Sequence, residues 1–182
     1  MKEIFSNPNN LTLFRIAAVP LIVILLLFPG KLFTFVAAVL FSIAAITDFL
    51  DGFFARRKGL VSNLGKVMDP LADKLLVSSA IIMLASLGWI PGWIVCIIIG
   101  RELAVTGLRN IAAQQGQEIS SSRLGKYKTG FQIAAIIPLL IHYQHFTIDF
   151  HAIGSVFLWV ALAMTLLSGA DYFIKFRGLM QA

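Results

Sequence analysis

The sequence predicts an all-α polytopic membrane protein with six transmembrane helices and a short N-terminal helix on the membrane surface. Of its 182 residues, 58% are hydrophobic and 13% are charged, and the mean hydropathy is +0.86. A soluble domain of this size does not need so much apolar surface. The net charge of +6 would also suit a nucleic-acid partner. In so apolar a chain, however, basic residues set the orientation and meet anionic lipid head groups. We therefore expect membrane lipids as partners and no nucleic acid.

Six apolar segments have about the 20 residues that a helix needs to cross the hydrocarbon core. They span residues 11–29, 32–57, 69–88, 92–113, 125–144 and 152–175. Short Gly/Pro turns at 28–31 and 87–93 predict antiparallel neighbours. The stretch KEIFSNP (residues 2–8) predicts the interfacial helix. With no internal repeat, the whole chain 1–182 is predicted to be a single integral-membrane domain.

The basic residues predict the orientation of these helices. Fourteen of the 15 Lys and Arg residues fall on one side of the six-helix arrangement, and Lys31 alone falls on the other. By the positive-inside rule, both termini and the connections at 58–66 and 114–125 are predicted to be cytoplasmic. The bias exceeds what orientation requires, which suggests that several of these cations bind an anionic ligand.

Four of the nine acidic residues cluster at the second and third helices: Asp48, Asp51, Asp69 and Asp73. A carboxylate in the apolar part of a membrane helix costs roughly 2.5–3.5 kcal/mol, so the cluster needs compensation. Each pair shares one helix face by its spacing of three or four residues. If the two antiparallel helices are neighbours, the pairs face each other and suit two Mg²⁺ or Mn²⁺ ions. The alternative is that the aspartates pair with basic residues of the connection as solvated charges.

Small residues accompany these carboxylates. Gly52, Ala55 and Gly65 lack bulk and leave room for a flat ring or a diphosphate against the helix backbone. Arg56 has a planar fork of donors and is placed to hold a donor phosphate. Pro70 favours a kink or a first helical turn beside Asp69.

The pattern D-x2-D-G-x2-A-R-x8-G-x3-D-x3-D over residues 48–73 resembles the signature of the CDP-alcohol phosphotransferase family, with every spacing met. The resemblance implies a dinuclear metal site, a CDP-linked lipid donor such as CDP-diacylglycerol, and attack by an alcohol on the diphosphate with CMP leaving. It also implies that Asp73 is the general base, that the other three aspartates are chiefly metal ligands, and that the protein is a homodimer.

A second group of charged residues indicates what kind of alcohol acts as the acceptor. The stretches GRELAVTGLRNIAAQQG (100–116) and SSSRLGKYKTGFQ (120–132) place five cations near the level of the aspartates: Arg101, Arg109, Arg123, Lys126 and Lys128. A pocket of such cations favours a phosphomonoester over serine or choline. The alternative is that these residues only anchor the orientation.

These two stretches resemble those of the bacterial family members that use sn-glycerol 3-phosphate, which implies a place in the bacterial cytoplasmic membrane. In that case Arg109, Lys126 and Lys128, with Arg101, hold the acceptor phosphate, and Glu102 orients one of these cations. The opening SNPNNLTLFR also resembles those members, although Asn7 stands where an apolar residue is common there. It implies that Thr12 and Arg15 close the nucleotide end of the cavity.

Three alternatives stay open at this point. Two lie within the family: a member that takes inositol phosphate, and a member that forms cardiolipin. The third is a cation transporter whose aspartates line a translocation path, although the sequence shows no polar counterpart toward the outer face. On that opposite face, His142, His145, Asp149 and His151 are interpreted as interfacial loop residues rather than as a transition-metal site.

Overall fold

The computed structural model describes residues 8–58, 63–114, 123–144 and 148–180. Within these ranges it has six helices and no strand. The helices are α1 (Pro8–Leu26), α2 (Lys31–Lys58), α3 (Asn63–Ser86), α4 (Gly92–Gln114), α5 (Arg123–Ile141) and α6 (Phe150–Met180). The predicted all-α class and the six helices are confirmed. The predicted interfacial helix at residues 2–8 lies outside the described residues except for Pro8, where α1 begins.

Local sequence signals end and begin these helices. Gly88, with φ 73°, follows α3 in the left-handed region that glycine adopts without strain. Its N–H donates to the carbonyl of Ala85 at 2.9 Å, and the Trp89 N–H donates to that of Leu84 at 3.0 Å, which is a Schellman cap. At α6 the carboxylate of Asp149 accepts from the Ala152 N–H at 3.0 Å and caps the helix N-terminus.

Several boundaries differ from the prediction, and the start of α3 differs most. Helix α3 begins at Asn63, so Pro70 lies in its interior and not in a first helical turn. An interior proline removes one backbone hydrogen bond and costs about 3 kcal/mol. The extensive packing of α3 against α1 offsets that cost.

The helices do not pack strictly in chain order. The α5–α6 pair has the most extensive interface, and α1 packs on both α2 and α3, whereas α2 and α3 contact each other only sparsely. The prediction that α2 and α3 are close neighbours is therefore wrong for most of the residues that the structure describes. Whether the two aspartate pairs face each other depends on side chains of α2 that lie outside the described part. Because every residue of α1 after Arg15 is apolar, this part of the helix can bury surface against both partners.

The apolar core lies in the middle of the bundle and includes Ile22, Phe41, Ile81, Ile94 and Ile136. Many large apolar side chains also lie exposed on the outside of the helices. Of the described residues, the segment Phe150–Ile174 is long and apolar enough to cross a membrane by length and composition. Shorter apolar helical stretches cover Thr12–Leu26, Lys31–Thr47 and Tyr127–Ile141.

Candidate active site at the polar end of the helix bundle

Five helices bring buried or half-buried polar side chains to one end of the bundle, which we call the polar end. It is formed by the first halves of α1, α3 and α5, the middle of α4 and the second half of α6. The side chains are Thr12, Arg15, Asp69, Asp73, Lys74, Arg101, Glu102, Thr106, Lys128, Gln132 and Ser168. Since α2 runs back from the turn after α1, residues 48–58 also lie toward this end.

Asp69 joins α3 to α1. Its side chain is 40% exposed. Its Oδ1 accepts hydrogen bonds from the Thr12 hydroxyl and from Arg15 Nη2, the latter at 3.5 Å. Arg15 is itself only 1% exposed, and a buried guanidinium beside a carboxylate orients that carboxylate. The two residues that the sequence assigns to the nucleotide end therefore contact one of the predicted metal ligands.

Asp73 lies one turn further along α3 and lines a small, partly open cavity of about 20 Å³. This volume is roughly that of one water molecule. Glu102 of α4 and Gln132 of α5 also line it. Gln132 is buried, and within the described part of the chain its Nε2 has no hydrogen-bond partner. Buried donors are normally paired, so the cavity suits an oxygen atom of a ligand.

The predicted acceptor-site cations converge on Glu102. Lys128, 2% exposed, forms an ion pair with Oε1 of Glu102. Arg101 Nη1 lies 3.0 Å from the same oxygen. Glu102 thus contacts two of the predicted cations, where the sequence suggested one. Two cations around one carboxylate leave a net positive charge in a buried place, which favours an anionic ligand.

Lys74 and Thr106 link α3 to α4 beside this group. The Lys74 ammonium donates to the Thr106 hydroxyl. That hydroxyl in turn donates to the backbone carbonyl of Glu102 at 2.6 Å. Arg109 lies exposed on α4, two turns beyond Arg101, and is not part of this buried group.

Several predicted site residues lie on described helices, but their side chains are outside the described part of the structure. Helix α2 carries Asp48, Asp51, Gly52, Ala55 and Arg56, helix α3 carries Gly65, and helix α5 carries Lys126. Among the described side chains there is no group of three His, Cys, Asp or Glu that could hold a metal ion. The two described members of the quartet, Asp69 and Asp73, supply the hard oxygen donors that Mg²⁺ and Mn²⁺ take.

Sequence reasoning missed the polar residues of α6 and α5 at this end. Ser168 and Tyr172 interrupt the long apolar run of α6, and Gln132 does the same in α5. A polar side chain within an apolar membrane segment signals a functional contact, although this signal does not name the partner.

The comparison with known proteins identifies the class of enzyme to which this chain belongs. The model of the CDP-alcohol phosphatidyltransferase family matches residues 5–167, so this chain belongs to that family and is an enzyme of this class. The predicted resemblance is confirmed.

Three relatives with printed names make the likeness more specific. The CDP-diacylglycerol–glycerol-3-phosphate 3-phosphatidyltransferase of Bacillus subtilis (strain 168) is 44% identical over 94% of this chain and 95% of its own. The protein of the same name from Rickettsia bellii is 38% identical, over 95% and 96%. The probable phosphatidylglycerophosphate synthase of Mycobacterium tuberculosis (strain H37Rv) is 36% identical, over 93% and 81%.

Proposed function

We propose that this enzyme transfers the phosphatidyl group from CDP-diacylglycerol to sn-glycerol 3-phosphate, giving phosphatidylglycerol phosphate and CMP. The names of the relatives support this donor and this acceptor. The observation that carries the proposal is the cavity that Asp73 shares with Glu102. It brings the carboxylate proposed as the base next to the anchor of the acceptor-site cations.

The acceptor phosphate is held by Lys128 and Arg101, together with Arg109 and Lys126. A phosphomonoester carries nearly two negative charges at neutral pH, and the Arg101–Glu102–Lys128 group has a surplus of one positive charge. Arg109 and Lys126 add two further cations on α4 and α5. Serine and free inositol have no phosphate that could form ion pairs with these cations. The site therefore favours glycerol 3-phosphate over both.

The donor lies on the α1–α2–α3 side of the polar end. Gly52, Ala55 and Gly65 leave room for the cytidine and the diphosphate, and Arg56 holds a phosphate. Thr12 and Arg15 close this side of the cavity. Their contact with Asp69 couples the donor side to the carboxylates.

In the reaction, Asp73 accepts the proton of the primary hydroxyl of glycerol 3-phosphate. The oxygen then forms a bond to the β-phosphorus of the donor, and the bond from that phosphorus to CMP breaks. The family is one that uses divalent metal ions. Asp48, Asp51, Asp69 and Asp73 would hold two Mg²⁺ or Mn²⁺ ions. These ions would neutralise the charge on the diphosphate oxygens.

We place the enzyme in the bacterial cytoplasmic membrane, with all six helices crossing it and both termini in the cytoplasm. The exposed apolar side chains and the one-sided distribution of Lys and Arg support this topology. The carboxylates and cations interrupt the apolar stretch of several helices at the polar end. The proposed homodimer rests on the family resemblance.

The deciding experiment is CMP release from CDP-diacylglycerol by the purified protein with Mg²⁺ or Mn²⁺. Glycerol 3-phosphate, inositol phosphate, serine and phosphatidylglycerol are compared as acceptors. We expect turnover with glycerol 3-phosphate and little with the others. Preference for inositol phosphate or for phosphatidylglycerol would instead assign the chain to another branch of the family. Cation flux through the reconstituted protein without CMP release would favour the transporter alternative.

A further inference from the structure

Helix α6 carries no residue of the proposed acceptor pocket, yet it holds Arg101 in place. Arg101 Nη2 donates to the Ser168 hydroxyl at 2.9 Å. That hydroxyl donates its own proton to the carbonyl of Thr165, 3.1 Å away in the same helix. Because the single proton of Ser168 is used in this way, its oxygen faces the guanidinium as an acceptor. Ser168 is fully buried, so the bond is shielded from water.

The next residues of the same helix surround the rest of the Arg101 side chain. A Cβ atom at Gly169 would lie 3.2 Å from Arg101 Cγ, so the stem packs directly on the α6 backbone. The ring of the buried Tyr172 lies 5.5 Å from Arg101 Cζ, within the range of a cation–π interaction. Ser168, Gly169 and Tyr172 together form what we call the α6 seat.

The α6 seat reaches the acceptor pocket through one carboxylate. The other terminal nitrogen of Arg101, Nη1, binds Glu102 Oε1 at 3.0 Å. Lys128 forms its ion pair with the same oxygen. A displacement of the guanidinium would therefore change the position of Glu102 and, with it, that of the Lys128 ammonium.

We propose that the α6 seat fixes the position of Arg101, and through Glu102 that of Lys128, for the phosphate of the acceptor. Ser168 and Tyr172 are then positioning residues for acceptor binding that lie on a helix outside the pocket. This inference rests on the proposed function, because it takes the phosphate of the acceptor to be what these cations bind.

The test is steady-state kinetics of Ser168→Ala with each substrate varied in turn. The acceptor KM should rise about tenfold, the effect of losing roughly one charge-assisted hydrogen bond. The kcat and the KM for CDP-diacylglycerol should stay within about twofold of the wild type, because neither the base nor the donor side is touched. Thr165→Val is the matched control. It removes a buried hydroxyl of α6 that donates to its own helix at Ala161, and it should leave all three constants unchanged.

A double-mutant cycle separates positioning from general loosening of α6. If Ser168 acts through Arg101, Ser168→Ala should add little to the acceptor KM of Arg101→Lys. Independent, multiplicative effects would overturn the inference, as would a rise in both KM values by the same factor in Ser168→Ala.

Tyr172 gives a second route if Ser168→Ala does not fold. Tyr172→Phe keeps the ring over the guanidinium, whereas Tyr172→Leu removes it, so the acceptor KM should rise more in the leucine variant. Equal values in the two variants would contradict the role of the ring. Failure of the wild type to release CMP with glycerol 3-phosphate would refute the proposed function itself. A normal wild type with an unchanged acceptor KM in Ser168→Ala would refute only this inference.

Discussion

Lys128 carries its ammonium group into a buried position, where a charge is tolerable only beside a counter-charge or an ionic ligand. Glu102 supplies the counter-charge, and we propose that the acceptor phosphate is the ionic ligand. Spacing alone pointed to Lys128 as a member of a cationic pocket. Its burial and its partner depend on how α5 and α4 are each packed against α3 and α6, which no local pattern encodes.

Lys128→Gln should raise the KM for glycerol 3-phosphate by about tenfold or more, because the phosphate loses an ionic contact at a buried site. Steady-state CMP release with each substrate varied measures this. Lys31→Gln serves as the control, since Lys31 lies exposed at the opposite end of the bundle. A rise in the KM for CDP-diacylglycerol instead would mean that the donor and acceptor sides are reversed.

Asp73→Asn should lower turnover by about 10²–10⁴-fold, the usual contribution of a general base, while the protein still binds CDP-diacylglycerol. Single-turnover CMP release and equilibrium binding of the CDP-lipid separate the two effects. Asp149→Asn makes the same chemical change at the far end and keeps the helix cap, so its turnover should equal that of the wild type. Normal turnover in Asp73→Asn would remove Asp73 from the role of base.

The site residues that sequence reasoning missed share one property. Ser168, Gln132 and Thr106 are uncharged, and each contacts or lies beside a group on another helix. Charged residues in an apolar chain are conspicuous because burial of charge is costly, whereas a hydroxyl or an amide is common in membrane helices. Only the assembled bundle shows which of them meet a functional group.

At the scale of elements, the contact between α5 and α6 depends on a missing side chain. A Cβ atom at Gly154 would lie 2.6 Å from Leu139 Cγ and 2.9 Å from the Leu139 backbone nitrogen. The second atom belongs to a helix backbone and cannot move aside. Gly154→Ala should therefore lower the free energy of unfolding by about 1–3 kcal/mol, as overpacking does.

Thermal unfolding in detergent, followed by circular dichroism, measures the effect of Gly154→Ala. Gly107→Ala on α4 is the control, because a Cβ atom there meets nothing within 4 Å and alanine favours the helix. Equal stability of the two variants would show that α5 and α6 do not approach as closely as described.

The connection between α5 and α6 holds a histidine in an unusual setting. His142 has φ 56°, stacks on Trp89 with ring centroids 3.7 Å apart, and lies edge-on to His151 at 4.9 Å. Burial lowers the pKa of His142, the neighbouring His151 lowers it further, and Asp149 acts in the opposite direction. The folded protein thus holds the neutral imidazole.

The unfolded chain takes up this proton near pH 6.5, and the folded chain only at lower pH. Stability should therefore be full above about pH 6.5 and fall as the pH drops toward the lower folded-state value. Melting temperatures between pH 8 and pH 5 measure the slope. His142→Asn removes the titrating group and still tolerates the left-handed backbone, so its melting temperature should depend less on pH. An unchanged slope in this variant would exclude His142 as the source.

Helix boundaries near polar sequence were harder to predict than helix number. The long apolar runs give the six helices directly. The sequence before Asp69 contains Gly65, Lys66 and, shortly after, Pro70, which predicts a later start for α3. The packing of α3 on α1 offsets the cost of the interior proline, as tertiary contacts often do.

At the scale of the whole molecule, helix neighbours proved less predictable than helix direction. A short connection fixes the antiparallel sense of two helices, but it does not decide which surfaces bury each other. That choice depends on the apolar faces of all six helices at once, and it places α1 against both α2 and α3.

The proposed orientation predicts opposite labelling of two glutamines. In a Cys96→Ser background, which removes the one native cysteine, Gln144→Cys should react with a membrane-impermeant maleimide in intact cells. Gln114→Cys, equally exposed but at the polar end, should react only after the membrane is permeabilised. Labelling of Gln114→Cys in intact cells would place the polar end outside and overturn the positive-inside assignment.

The length of α6 indicates how deep in the membrane the proposed acceptor-binding residues lie. A helix rises about 1.5 Å per residue, so Ser168 lies about 27 Å along the axis from Phe150, where α6 begins. The hydrocarbon layer is about 30 Å thick. In the proposed orientation, with Phe150 at the outer boundary, Ser168 and the Arg101 guanidinium bound to it would lie just inside the inner boundary. The diphosphate of a lipid whose acyl chains remain in the inner leaflet lies at that same depth. The lipid donor could therefore react while its acyl chains stay in the bilayer, and the acceptor while it stays in the aqueous cytoplasm.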